Sequence, residues 1–172
     1  MALIVFMRGV NVGGHKSFQP SVLAKELAEF DVVNIGAAGT FVVRKKISPS
    51  ALRNAFLKKL KFEARMMICR ESELAELASA DPFRGELGHK DIKGYVTVLE
   101  KRPGKLLTLP ICQPDGEEWQ VKIFGVRGLF VLSLHRRMGP RLVYPNEVVE
   151  KRFGVPATTR NWNTITAILK CL

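Results

Sequence analysis

The unbroken apolar run Ala2 to Met7 stops abruptly at Arg8 and a glycine-bearing polar loop. Leu, Ile, Val and Phe in a row favour extended backbone, and with no polar alternation both faces of such a strand must be covered. The run is too short to span a bilayer, and no basic segment precedes it as in a secretory signal. The chain is therefore expected to be soluble, cytoplasmic and without membrane partners.

Beyond that loop the apolar residues alternate between helical and strand spacing. Leu23, Leu27 and Phe30 are spaced as one face of a helix over 20–30, opened by Pro20 in its first turn. Val32 to Ile35 and Thr40 to Arg44 read as strands across Gly36, Ala37, Ala38 and Gly39, a hairpin signal. Ser48-Pro49 caps a helix with Leu52, Phe56 and Leu60 on one stripe, and Ala64 to Cys69 is a further strand. The predicted order β-α-β-β-α-β is that of a ferredoxin-like unit. A helix from Glu71 to Ala80 then ends at Asp81-Pro82, because proline disfavours helix in the residue before it.

The second half is less regular. Gly94 to Leu99 reads as a strand, and Pro103, Pro110 and Pro114 leave room for at most a short helix over 101–118. Trp119 to Phe124 and Leu129 to Leu134 are expected to form a hairpin across Gly125 to Gly128. Helices are expected from Asn146 to Phe153, stopped by Gly154, and from Ile165 to Leu169. The expected class is α+β: a ferredoxin-like βαββαβ unit followed by a second, degenerate ferredoxin-like half. The expected division is 1–80 and 81–172.

Across the 172 residues, 27 Lys and Arg oppose 16 Asp and Glu, a formal net charge of +11. That balance suits a protein that meets phosphates, although the cations fall in short clusters such as Arg44-Lys45-Lys46 and Arg136-Arg137 that also serve as solvated faces. Apolar residues at 47% and charged residues at 25% exclude a disordered or fibrous chain. Cys69, Cys112 and Cys171 show no C-x-x-C spacing and are expected to be free thiols. His15, His89 and His135 have no metal-motif company, so neither a metal site nor a cofactor is expected.

Two segments are richer in hydrogen-bonding groups than turns require. In the first, Arg8 to Ser17, Gly13 and Gly14 free the backbone to turn N–H groups toward an anion, with Arg8 and Lys16 supplying charge. Alternatively, the glycines only supply positive φ and Asn11 bonds its own turn. A phosphate-binding G-x-x-x-x-G-K-[ST] loop is excluded, because His15 stands where its lysine belongs. The second segment, Thr158 to Thr164, is expected to be a loop before the last helix. Its Thr159, Arg160, Asn161, Trp162 and Asn163 either lock that helix to the body or form a site in which Arg160 grips an anion beside the wall of Trp162. The two segments are expected to share one site.

At these segments the chain resembles a bacterial family known as domain of unknown function 1697. Members open on a strand running into Leu-Arg-Gly-Ile-Asn-Val-Gly-Gly and close with Thr-Arg-Asn-Trp-Asn-Thr, as in Arg8 to Gly14 and Thr159 to Thr164 here. Asp81-Pro82-Phe83 is similar to the family's Asn-Pro-Phe. The resemblance implies a two-part α+β fold and no activity. Two departures stand out: Ala37-Ala38-Gly39-Thr40 replaces the family's Gln-Ser-Gly-Asn, and Leu142-Val143 replaces a Ser-Lys pair.

The reading favoured by these residues is a binding module for a phosphate-bearing small molecule or nucleotide. RNA binding on a basic sheet face is an alternative, since Gly39 to Val43 resembles an RRM strand, with Arg44 where an aromatic residue is expected. A small acylphosphatase-like enzyme is another; there Arg8 would hold the phosphate and Asn11 a water, although the Gln-Gly-Val pattern is absent. No residue is assigned a catalytic role.

Overall fold

The computed structural model describes residues 1–172. The chain is α+β, with two antiparallel sheets, and divides into two compact units, Met1–Glu76 with Thr166–Leu172, and Leu77–Ile165.

In the first unit β1 (Leu3–Arg8) leads through a long loop to α1 (Pro20–Glu26), then β2 (Val32–Asn34), β3 (Thr40–Val43), α2 (Pro49–Lys59) and β4 (Arg65–Arg70). The sheet order is β2-β3-β1-β4, with β1 antiparallel to both neighbours, Val5 facing Phe41 on one side and Ile68 on the other. Leu3 to Met7 are all buried, as the unbroken apolar run requires. Leu3, Val5 and Met7 pack with Leu23 and Leu27 after the loop and with Leu52 and Phe56 of α2. Phe41 meets Phe56 edge to face, the favoured quadrupole geometry. Ser48 caps α2, its hydroxyl accepting from the Ala51 N–H at 3.2 Å, so the start of that helix is set by its own residues.

The helix expected over 20–30 stops at Glu26. Ala28–Phe30 form one 3-10 turn, closed by Asp31 in the left-handed region at φ +51°. α3 (Glu71–Ser79) then carries the chain into the second unit, its acidic first turn set against the helix dipole by Glu71 and Glu73.

There the strands are β5 (Ile92–Leu99), β6 (Ile111–Gln113), β7 (Val121–Arg127) and β8 (Phe130–Arg136), followed by α4 (Pro145–Phe153), β9 (Ala157–Asn161) and α5 (Trp162–Lys170). Their order is β6-β7-β8-β5-β9. The second half does not have the element order of the degenerate ferredoxin-like unit expected there: no helix separates β5 from β6, and four strands precede α4. Pro103, Pro110 and Pro114 remove the backbone donors a helix would need there.

The β7–β8 turn also differs from expectation. It falls on Gly128-Leu129, between the paired Arg127 and Phe130, and Gly125 lies inside β7 after a bulge at Phe124. α4 packs Val148, Val149 and Phe153 on Leu99, Val121, Ile123, Val131 and Ala157. It ends at Gly154, left-handed at φ +65°, whose N–H bonds Glu150 O at 2.8 Å. No helix is long and apolar enough to cross a membrane.

Candidate functional site

The two polar segments belong to different units and are built differently. In the first, Arg8 is half-buried at the end of β1, opposite Arg65 of β4. Beyond it, Gly9, Asn11, Gly13, Gly14 and Lys16 all adopt positive φ, from +47° to +78°. Five such residues within eight give the loop its tight, irregular course, and glycine supplies three of them without steric penalty. Asn11 and Lys16 are not glycine. Asn11 holds its conformation with both ends of its amide: Nδ2 donates to Ala37 O at 3.0 Å, and Oδ1 accepts from Phe18 N–H at 2.9 Å. The Ser17 hydroxyl bonds Gly14 O at 3.1 Å. Asn11 thus fastens the loop to the β2–β3 connection, while Gly13, Gly14 and Lys16 stay on the exposed rim.

A cleft of about 370 Å³ opens just past this loop, beside Ser17 and Phe18 and the ends of α1 and α2. Phe18 and Phe62 meet edge to face in its floor, with Lys59, Lys61 and Glu26 at its rim. None of Arg8, Asn11, Gly13, Gly14 and Lys16 lines it.

The second segment is a strand and a helix start rather than the expected loop. β9 pairs along β5 with Thr159 opposite Thr97 and Asn161 opposite Tyr95, because β-branched threonines favour extended backbone. α5 therefore begins at Trp162, earlier than the expected Ile165. Alternation along β9 separates the roles of the polar residues. Thr159 donates to Asn146 Oδ1 at 2.9 Å, so the 2.7 Å contact between the two hydroxyls is donated by Thr97. Arg160 is buried, with Nη1 donating to Thr158 Oγ1 at 2.8 Å and to Thr159 O at 2.9 Å. Burial pushes its guanidinium down to about 10, still protonated near neutral pH. Asn161 is the N-cap of α5, its Oδ1 accepting from the Thr164 N–H at 2.8 Å and the Thr164 hydroxyl at 3.0 Å.

What the segment offers to a ligand is the end of β9 and the first turn of α5. Asn161, Trp162 and Asn163 line a cleft of about 260 Å³ with Lys93, Gly94 and Tyr95 of β5, completed by Leu87 and Ile92. β9 stops at the Tyr95–Asn161 pair, so Ile92, Lys93 and Gly94 continue past their partner strand and form one side of the opening. Trp162 is held from behind by Phe83, ring centroids 4.9 Å apart, and Phe83 lies edge-on to Phe124 at 5.6 Å. Tyr95 meets His135 edge to face at 5.8 Å. His135 Nε2 contacts Val143 O at 3.0 Å, and desolvation together with Lys93 holds its pKa below the ordinary value. Lys93 is the only cation, and no carboxylate lines the cleft.

Sequence reasoning found Asn161, Trp162 and Asn163 from their density of polar groups, but it missed Lys93 and Tyr95. Their only signal was a lysine and a tyrosine flanking a glycine inside a predicted strand; the pairing that brings them to Asn161 is long-range. The three cysteines are free, and burial, followed by the charge of Glu73, pushes the Cys69 thiol far up, away from thiolate chemistry.

No curated protein and no solved structure matches the chain. Residues 1–125 match the family described as protein of unknown function (DUF1697), and that span covers the first polar loop, the Asp81-Pro82-Phe83 turn and the β5 side of the cleft. With well over half its length matched, the chain belongs to the DUF1697 family.

Proposed function

We propose that the second unit binds a mononucleotide, or a phosphate-bearing planar molecule of similar size, in the cleft at Trp162. The observation that carries this reading is the convergence of Lys93, Asn161, Trp162 and Asn163 on one opening of about 260 Å³. Trp162 and Tyr95 offer aromatic surface for stacking a base. With the Asn161 Oδ1 taken up by the cap of α5, the Asn161 Nδ2 offers a donor and the Asn163 amide a donor and an acceptor, as recognition of base or sugar edges requires. Lys93 supplies a point charge for a phosphate, with no carboxylate beside it to repel the anion. In this reading Arg160 braces β9 and Lys93 takes the anion. For the first unit, the order β-α-β-β-α-β and the strand order β2-β3-β1-β4 support a ferredoxin-like description.

Titration with AMP, UMP and inorganic phosphate, followed by NMR at the Trp162 indole N–H, tests the proposal. Saturable shifts with a nucleotide are expected, weaker by about tenfold in Lys93→Ala, which is ~1.4 kcal/mol. Phosphate alone is expected to bind more weakly than either nucleotide. No shift at millimolar nucleotide, or an equal response in Lys93→Ala, would overturn it.

A further inference from the structure

A second opening in the same unit shares no residue with the Trp162 cleft. It is a groove of about 470 Å³ between the connection that precedes β6 and the end of α4. Lys105, Lys151 and Arg152 line it around a floor of Leu107 and Ile111, with Thr108 at the side and no carboxylate. Arg152 Nη2 donates to Gln113 Oε1 of β6 at 3.4 Å, so one of the cations is tied to that strand. Lys101 and Arg102, on the same connection, are exposed. Leu106, at the lip, is 92% exposed, the most exposed large hydrophobic side chain in the chain. β6 is also the outer strand of its sheet, with one backbone edge unpaired in the ladder.

From these features we infer that the groove docks an acidic peptide segment of a protein partner, carrying aliphatic side chains among its carboxylates. Charge complementarity selects the acid: three cations with no opposing carboxylate make a field that steers and retains an anionic chain. The apolar floor and Leu106 select the aliphatic side chain, since burying both would remove apolar surface from water. Two other anionic partners fit less well. Single-stranded nucleic acid stacks its bases on aromatic rings, and the groove has none. A membrane surface would take up the protruding Leu106 but would leave the half-buried Leu107 and Ile111 of the groove unused.

The probe is a fluorescein-labelled peptide of repeated Glu-Glu-Leu triplets, followed by fluorescence anisotropy in low-salt buffer. Saturable binding is expected, weakened by about tenfold or more in the double variant Lys105→Glu with Lys151→Glu. It is expected to be little changed in Lys58→Glu with Lys61→Glu, exposed positions of the first unit that carry the same change of net charge. A Glu-Glu-Ser peptide should bind several-fold more weakly. All four positions are exposed, and circular dichroism checks that each variant keeps its fold. Absence of binding, equal weakening by both double variants, or equal affinity of the serine peptide overturns the inference. So does tighter binding of oligouridylate or phosphatidylserine vesicles that is lost in the Lys105, Lys151 variant. Nucleotide binding at Trp162 is independent of every one of these results.

Discussion

The ring of Phe83 fills the space in which a side chain on residue 94 would stand: a β-carbon on Gly94 would lie 2.8 Å from Phe83 Cε1. Asp81, left-handed at φ +43°, turns the chain after α3 so that Phe83 can reach this bare stretch of β5, and Trp162 packs against the ring at a tilt of 59°. The absence of a side chain at 94 therefore sets the position of the cleft's main aromatic wall. In Gly94→Ala the ring must move, at a cost of about 1–3 kcal/mol typical of overpacking. A lowered urea midpoint and a changed near-ultraviolet circular dichroism band from Trp162 are expected. An unchanged midpoint and spectrum would show that the ring yields freely.

Asn11 makes a different kind of constraint, combining a strained backbone with two side-chain bonds. Asn11→Ala loses the bonds to Ala37 O and Phe18 N–H and places an alanine at φ +53°. Each exposed bond is worth roughly 0.5 kcal/mol, at the low end of the usual range, and the left-handed backbone about 1–2 kcal/mol. Asn11→Gly removes the bonds but relieves the strain, so it should be the more stable variant by about 1 kcal/mol in urea unfolding. Equal stability of the two would assign the loop's shape to something other than this residue.

The elements most legible in the sequence were those whose signals are local. The unbroken run at β1, the Ser48 cap and the Gly154 stop each act within a few residues, and each stands where its chemistry places it. β9 was not legible, because Thr158, Thr159, Arg160 and Asn161 carry no apolar alternation. Their side chains bond to one another, to Thr97 and to Asn146, partners that only the fold brings near. For the same reason half of the candidate site was hidden: Trp162 and Asn163 stood out beside their polar neighbours, whereas Lys93 and Tyr95 join them through strand register.

His135 makes stability depend on pH. Desolvation is the largest influence holding its folded pKa below the ordinary 6.5, Lys93 acts in the same direction, and the bond to Val143 O opposes both. The unfolded chain then binds the proton more readily than the folded one. The stability set by neutral His135 is full above pH 6.5 and is lost as pH falls through that value toward the lower folded pKa. His135→Gln keeps a donor toward Val143 O without titrating in this range. The difference in melting temperature between wild type and variant should shift against wild type between pH 7 and pH 5. A pH-independent difference would place the titration elsewhere.

Arg160 separates a brace from a ligand grip. Its Nη1 bonds Thr158 Oγ1 and Thr159 O inside β9, and it is only 7% exposed. Arg160→Ala leaves buried acceptors without their donor, at a cost of about 1–3 kcal/mol, or roughly 2–12 °C in melting temperature for a chain of this size. Arg160→Met restores bulk but no donor, so it should recover only the packing part of the loss and leave in place the cost of removing the donor from Thr158 Oγ1 and Thr159 O. Added phosphate should raise the melting temperature of wild type and of both variants by the same amount, since ligand stabilisation follows affinity for the folded state and the proposed site assigns the anion to Lys93. If instead Arg160→Ala melts like wild type but loses its response to phosphate, the guanidinium is the anion's partner and Lys93 is not.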